Sequence, residues 1–168
     1  MADHPNILLI TTDQQRFDTI HAAGNSHIRT PHLNWLLDTG IHFANAYTDC
    51  PICMPARATI MTGQHAYNHG QTGNTNQQPI GRATSLAAVL TDAGYQTRAQ
   101  GKMHWEPLRC NYGFEHMEIL PDYYRSMRKR QDEGIPKNHG VGENEMEPVI
   151  STVDESHSLT HWTVDRSI

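Results

Sequence analysis

Cysteine is scarce in this chain, with three among 168 residues. An odd, sparse set argues against a disulfide framework and for a reducing compartment, so a cytoplasmic location is expected. Positive charge is also in short supply. Thirteen Lys and Arg against 18 Asp and Glu leave a net charge of −5 without a basic stripe, which argues against nucleic acid as a partner. Long apolar runs are missing too. The opening MADHPNILLITTDQQ has a strand-sized run, Ile7–Ile10, and no charged n-region, so neither a secretory signal nor a membrane span is expected. Twelve histidines are many for this length, but the count alone assigns no role.

What is present alternates between strand and helix patterns. NILLITTD reads as a buried strand. Thr30-Pro31 opens a helix, PHLNWLLDTG, with Leu33, Leu36 and Leu37 on one face and Gly40 as its stop. IHFANAY reads as a second strand, a short helix follows Pro55, and SLAAVLTDAG is a helix begun by Ser85 and ended by Gly94. YQTRAQG is the third strand candidate. This order predicts an α/β fold, a mostly parallel central sheet flanked by helices. Ligands of such sheets collect beyond the carboxyl ends of strands, where Asp13, Cys53 and Lys102 all fall. Residues 121–157 are polar and rich in Gly and Pro, and read as an excursion over the surface. SLTHWTVDRSI, residues 158–168, has helical spacing and no stop signal, and three strands leave an uncovered edge. The chain is therefore expected to be the N-terminal part of a longer domain, incomplete at its C-terminus.

The stretch CPICMPARATIMTG, Cys50 to Gly63, admits three readings. Cys50-Pro-Ile-Cys53 has the spacing of a redox pair, although Pro55 follows the second cysteine rather than the first. Half of a zinc site would need two more ligands, and Cys110 is isolated. In the third reading Pro55 marks a first helical turn, which places Cys53 at a helix N-terminus with Arg57 one turn on. Backbone N–H groups, the helix dipole and the guanidinium would there favour an anion meeting a nucleophile.

Cys53-x-Pro-Ala-Arg57 followed by Ala-Thr-Ile-Met-Thr-Gly resembles the signature of the type I sulfatases of the alkaline phosphatase superfamily. NILLITTDQQR, TPHLNWLLDTGIHFANAY, TGQHAYNHGQTGN and GYQTRAQGKMHW are similar, in the same order, to other segments of that family, over roughly Asn6 to Phe114. The resemblance implies an alkaline-phosphatase-like fold and a sulfuric ester hydrolase that acts on a small-molecule sulfate ester. It implies that Cys53 is converted to Cα-formylglycine by a formylglycine-generating enzyme and becomes both nucleophile and metal ligand. Asp13 and Gln14 would be the other ligands of a divalent cation, Ca²⁺ with Mg²⁺ or Mn²⁺ as alternatives. Arg57 would hold the hydrate, Lys102 the sulfate oxygens, His104 the formylglycine hydroxyls, and Asn74 the substrate. On a strand, Lys102 and His104 would point to the same side. Cys50 reads as a small buried residue.

Further metal ligands, a lysine and a histidine that the family draws from downstream have no counterpart after Asp122; Asp154, His157 and His161 lie in the wrong context. Three alternatives stay open: a phosphonate or phosphate ester hydrolase on the same motif, an inactive fragment or binding module retaining part of the fold, and a thiol redox protein. Assembly into a homo-oligomer is left open as well.

Overall fold

The computed structural model describes residues 4–74, 79–80, 84–131, 134 and 148–168. These form two units, divided between Tyr47 and Thr48.

The first unit is built on helix α1, Pro31–Thr39. Pro31 takes the first helical position, where a missing N–H costs nothing. The Thr30 and Asn34 side chains reach back to a 3₁₀ turn, His21–Ala23. Thr30 Oγ1 accepts the His21 N–H at 2.9 Å, and Asn34 Oδ1 accepts the Ala22 N–H at 3.0 Å. Gly40 ends the helix as expected, but for closeness: a Cβ there would stand 2.8 Å from the Leu36 carbonyl oxygen. Leu33 and Leu37 are half-buried while Leu36 is exposed, so the inward face is narrower than the spacing predicts.

Two expected strands are not strands. Residues 7–10 and 41–47 form no ladder among the described residues, and Leu8 is 78% and Ile41 82% exposed. An apolar run sets a preference for extended backbone, but a strand exists only where a neighbour supplies the hydrogen bonds.

The second unit holds the sheet. Helices α2 (Cys53–Thr62), α3 (Ala66–His69) and α4 (Leu86–Asp92) precede strand β1 (Arg98–Gly101). Strand β2 (His116–Ile119) follows, then α5 (Leu120–Gln131) and α6 (Leu159–Ser167). β1 and β2 pair in parallel, Arg98 opposite His116 through Gly101 opposite Ile119. α6 packs on β1 and α5 on β2, so the parallel pair is flanked by helices. β1 is shorter than YQTRAQG suggests, and β2, whose sequence HMEI hardly alternates, has no strand signal of its own.

Serine caps behave as their sequence predicts. Ser85 Oγ accepts the Ala88 N–H and Ser158 Oγ the His161 N–H, which starts α4 and α6. The polar stretch from Pro121 opens as a helix rather than as a surface excursion. Asp122 reaches back to the Ile119 N–H at 3.0 Å and pairs with Arg109 at 2.7 Å, while Tyr123 and Met127 are buried with Trp162 of α6. Most of the remainder of that stretch lies outside the described residues.

Ala58 and Met61 of α2, Ile80, Ala87 of α4 and Trp105 form the main core, with Tyr112 edge-on to Trp105 at 5.3 Å. Gly113 brings the chain against α4. Its φ is +97°, and a Cβ there would lie 2.4 Å from the Ala88 backbone nitrogen. Gly113→Ala should therefore destabilise the fold by about 2–4 kcal/mol, through overpacking and left-handed strain together. Urea denaturation checks this, and a midpoint equal to that of the unsubstituted chain would show that α4 gives way.

Candidate active site

Helix α2 begins at Cys53, after Ile52 in extended conformation. Its first N–H groups are nearly all engaged. The Ile52 N–H goes to the Cys50 carbonyl at 2.9 Å, the Met54 N–H to Asn74 Oδ1 at 3.1 Å, and Pro55 has none. Ala56 starts the intrahelical ladder on the Ile52 carbonyl. Among the described residues only the Cys53 N–H of that first turn is left without an acceptor, so the expected nest of backbone groups for an anion is thin.

Cations supply what the helix end lacks. Lys102 Nζ stands 3.8 Å from Cys53 Sγ. Arg57, one turn along α2, donates from Nη1 to the Lys102 carbonyl oxygen at 2.5 Å, which ties the end of β1 to the helix that bears Cys53. The turn out of β1 is made at Gly101, with φ +86° and the Thr163 methyl 3.0 Å from where a Cβ would sit. Lys102 and His104 consequently lie in a loop beyond the strand, and strand alternation does not place them on a common side. His104 is half-buried with φ +53°, a left-handed conformation that costs a non-glycine residue roughly 1–3 kcal/mol. Gln14 shares this trait with φ +56°. Among the described residues only Tyr112 joins these two, so left-handed strain falls largely on residues already singled out.

Cys53, Arg57, Lys102 and Asn74 are thus brought together around the start of α2, with His104 two residues beyond Lys102. Asp13 and Gln14 belong to the first unit, where both are exposed. They offer a carboxylate and an amide carbonyl, the hard oxygen donors that Ca²⁺ or Mg²⁺ prefers, but Ca²⁺ takes about 6–8 oxygens. Among the described residues no three His, Cys, Asp or Glu side chains converge into a metal cluster. All three cysteines are free thiols. Cys50, expected to be buried, is half-buried and directs its thiol to the Thr72 carbonyl at 3.9 Å.

A second network, invisible in the sequence, braces α2 from its other side. Asp49 Oδ2 accepts the Ala66 N–H at 2.6 Å, and Thr59 Oγ1 donates to Asp49 Oδ1 at 3.2 Å. The Gln71 N–H donates to His69 Nδ1 at 3.1 Å, which leaves Nε2 of a neutral ring to donate to Thr59 Oγ1 at 3.0 Å. The Ala66 N–H is the main cause holding the Asp49 carboxyl below its usual range. Burial pushes His69 down, against a smaller opposing pull from Asp49. Asp49 and His69 each lie ten residues from Thr59, a spacing that announces no contact.

A family model described as Sulfatase matches residues 5–158. The chain is 36% identical over 127 residues to an arylsulfatase of Clostridium perfringens, covering 76% of this chain and 26% of the relative. It is 32% identical over 126 residues to an N-acetylglucosamine-6-O-sulfatase of Bacteroides thetaiotaomicron, covering 71% and 22%. The chain thus spans about a quarter of the length of these relatives. A crystal structure of a phosphonate monoester hydrolase from Agrobacterium radiobacter aligns with a TM-score of 0.78 at 24% identity, over 98% of this chain and 37% of that one. This last likeness is one of fold, α/β and alkaline-phosphatase-like.

The depressed His69 has a consequence for stability. Unfolded, it takes up a proton as pH falls through about 6.5; folded, it resists until lower pH. Its contribution is complete above that value and is lost as pH falls below it. The urea midpoint should decline from pH 7 to pH 5, and His69→Gln should flatten part of that slope. An unaltered slope would assign the decline to other groups.

Proposed function

The chain belongs to the sulfatase family, and from that premise we propose that its protein hydrolyses small sulfate esters, with residue 53 as the reacting group. The observation that carries this reading is the 3.8 Å approach of Lys102 Nζ to Cys53 Sγ at the first position of α2, with Lys102 held in place by Arg57.

Lys102 would pair with the anionic oxygens of the ester and neutralise charge as the bond to the alcohol breaks. Arg57 keeps that ammonium in range through the Lys102 main chain and adds a second positive charge near residue 53. His104, on the same loop, would hold a proton for the hydroxyls of residue 53 and return it. The amide NH₂ of Asn74 is assigned to the substrate. As a formylglycine hydrate, residue 53 would supply a nucleophilic hydroxyl and a second one through which sulfate is released, which a thiol cannot do. Asp13 and Gln14 fit a hard divalent cation by donor type, and such an ion would lower a hydroxyl pKa and offset sulfate charge. Maturation by a formylglycine-generating enzyme is part of the proposal, as is a cytoplasmic location, for which the odd, sparse set of cysteines speaks.

A phosphonate or phosphate ester hydrolase is the second reading, favoured by the fold it shares with the phosphonate monoester hydrolase. Both substrate classes are tetrahedral oxyanions, and the same cations would serve either.

Mass spectrometry of the tryptic peptide Thr30–Arg57, from protein made in its native host, should find an aldehyde in place of the Cys53 thiol. An unmodified thiol, with the modifying enzyme present, would remove the sulfatase route. Lys102→Ala should lower kcat on a sulfate ester by about 10²-fold or more, and Cys53→Ala should abolish turnover. A higher kcat/KM on phosphonate than on sulfate esters would favour the second reading.

A further inference from the structure

The start of α2 is capped from outside its own sequence. Ile52, at the capping position, has no side-chain acceptor to give. The acceptor comes from Asn74, twenty residues later, whose Oδ1 takes the Met54 N–H. Asn74 ends a short strap, residues 70–74, that meets the same helix start at two further points. Gln71, only 2% exposed, brings Nε2 to 3.8 Å from Met54 Sδ, and the Thr72 carbonyl accepts the Cys50 thiol. Met54 is therefore held by both its backbone and its side chain, and it is the immediate neighbour of Cys53.

A backbone N–H can only donate, so the oxygen of the Asn74 carboxamide faces Met54 and Nδ2 faces away. We infer that Asn74 is a positioning residue for residue 53, acting through the Met54 N–H; this rests on the reading of Cys53 as the reacting group. An uncapped first turn frays from its first residue, which here is Cys53. The Lys102 contact at 3.8 Å is already at the long end of a polar contact to sulfur, so a small swing of that turn breaks it. Asparagine suits the place because one side chain supplies an acceptor to the helix and a donor in the other direction. Asp keeps the first and loses the second.

The test uses the full chain with residue 53 still a thiol. Iodoacetamide alkylation of Cys53 is measured against that of Cys110 in the same molecule, and Met54 amide exchange is followed by NMR. In Asn74→Ala the Cys53-to-Cys110 ratio should change by about threefold or more, and Met54 exchange should accelerate about tenfold. Asn74→Asp keeps the acceptor, so its Met54 exchange should match the unsubstituted chain; the alkylation ratio is not read for this variant, because its added charge acts on the thiol directly. The inference is overturned if Asn74→Ala changes neither, if it raises Cys53 and Cys110 alkylation in proportion as general loosening would, or if Met54 exchange in Asn74→Asp accelerates as it does in Asn74→Ala. Should Asn74→Ala not fold, Gln71→Ala loosens the strap more gently, and an unshifted ratio there also overturns it. None of these readouts needs an aldehyde or an ester, so a failure of the sulfatase reading is separable from a failure of the cap.

Discussion

The bond from Arg57 Nη1 to the Lys102 carbonyl is the tie on which the site depends. It joins α2, which presents Cys53, to the end of β1, which presents Lys102. A guanidinium suits this task because its planar fork is pre-organised and always charged, and a hydrogen bond from such a group contributes about 1.5–3 kcal/mol. On the strand side, Gly101 turns the chain at a place where a side chain would strike Thr163 of α6. The main chain that carries Lys102 is thus held from α2 on one side and from α6 and β1 on the other.

Magnitudes decide which group would meet an anion at residue 53. With most of the first-turn amides engaged, the helix end retains about one neutral donor, contributing roughly 1 kcal/mol. A full positive charge near 4 Å, at the effective dielectric of a protein surface, interacts at about 4 kcal/mol with a full negative one. The side-chain cation therefore dominates, and the dipole of α2 is secondary. Orientation is left to Asn74, and the brace through Asp49, Thr59 and His69 holds the opposite flank of the helix.

Much of this was legible where the causes are local. Pro31, Ser85 and Ser158 act within a turn of themselves, and the helices they start were foreseen. The family was legible because the motif around Cys53 packs its signature into a few residues, and the family model matches residues 5–158. Strands were less so, since a ladder depends on a partner elsewhere; residues 7–10 look like a strand and pair with none of the described residues, while HMEI does not look like one and pairs with β1. The remote cap from Asn74 and the Asp49–Thr59–His69 chain span ten to twenty residues with no spacing rule to announce them. The left-handed backbone at Gln14 and His104 was equally hidden, because neither residue type demands it.

The two contacts that join α2 to the loop after β1 link residues 45 and 49 positions apart. A chain must close a long segment before such contacts reward it, so they form late in folding, after α2 has its own turns. Both run to Lys102, one to its carbonyl and one from its ammonium, so a movement of the loop after β1 breaks the two together. Cys53 therefore passes through two chemical lives on every excursion: paired with an ammonium when the molecule is closed, and an ordinary solvated side chain for as long as it is open.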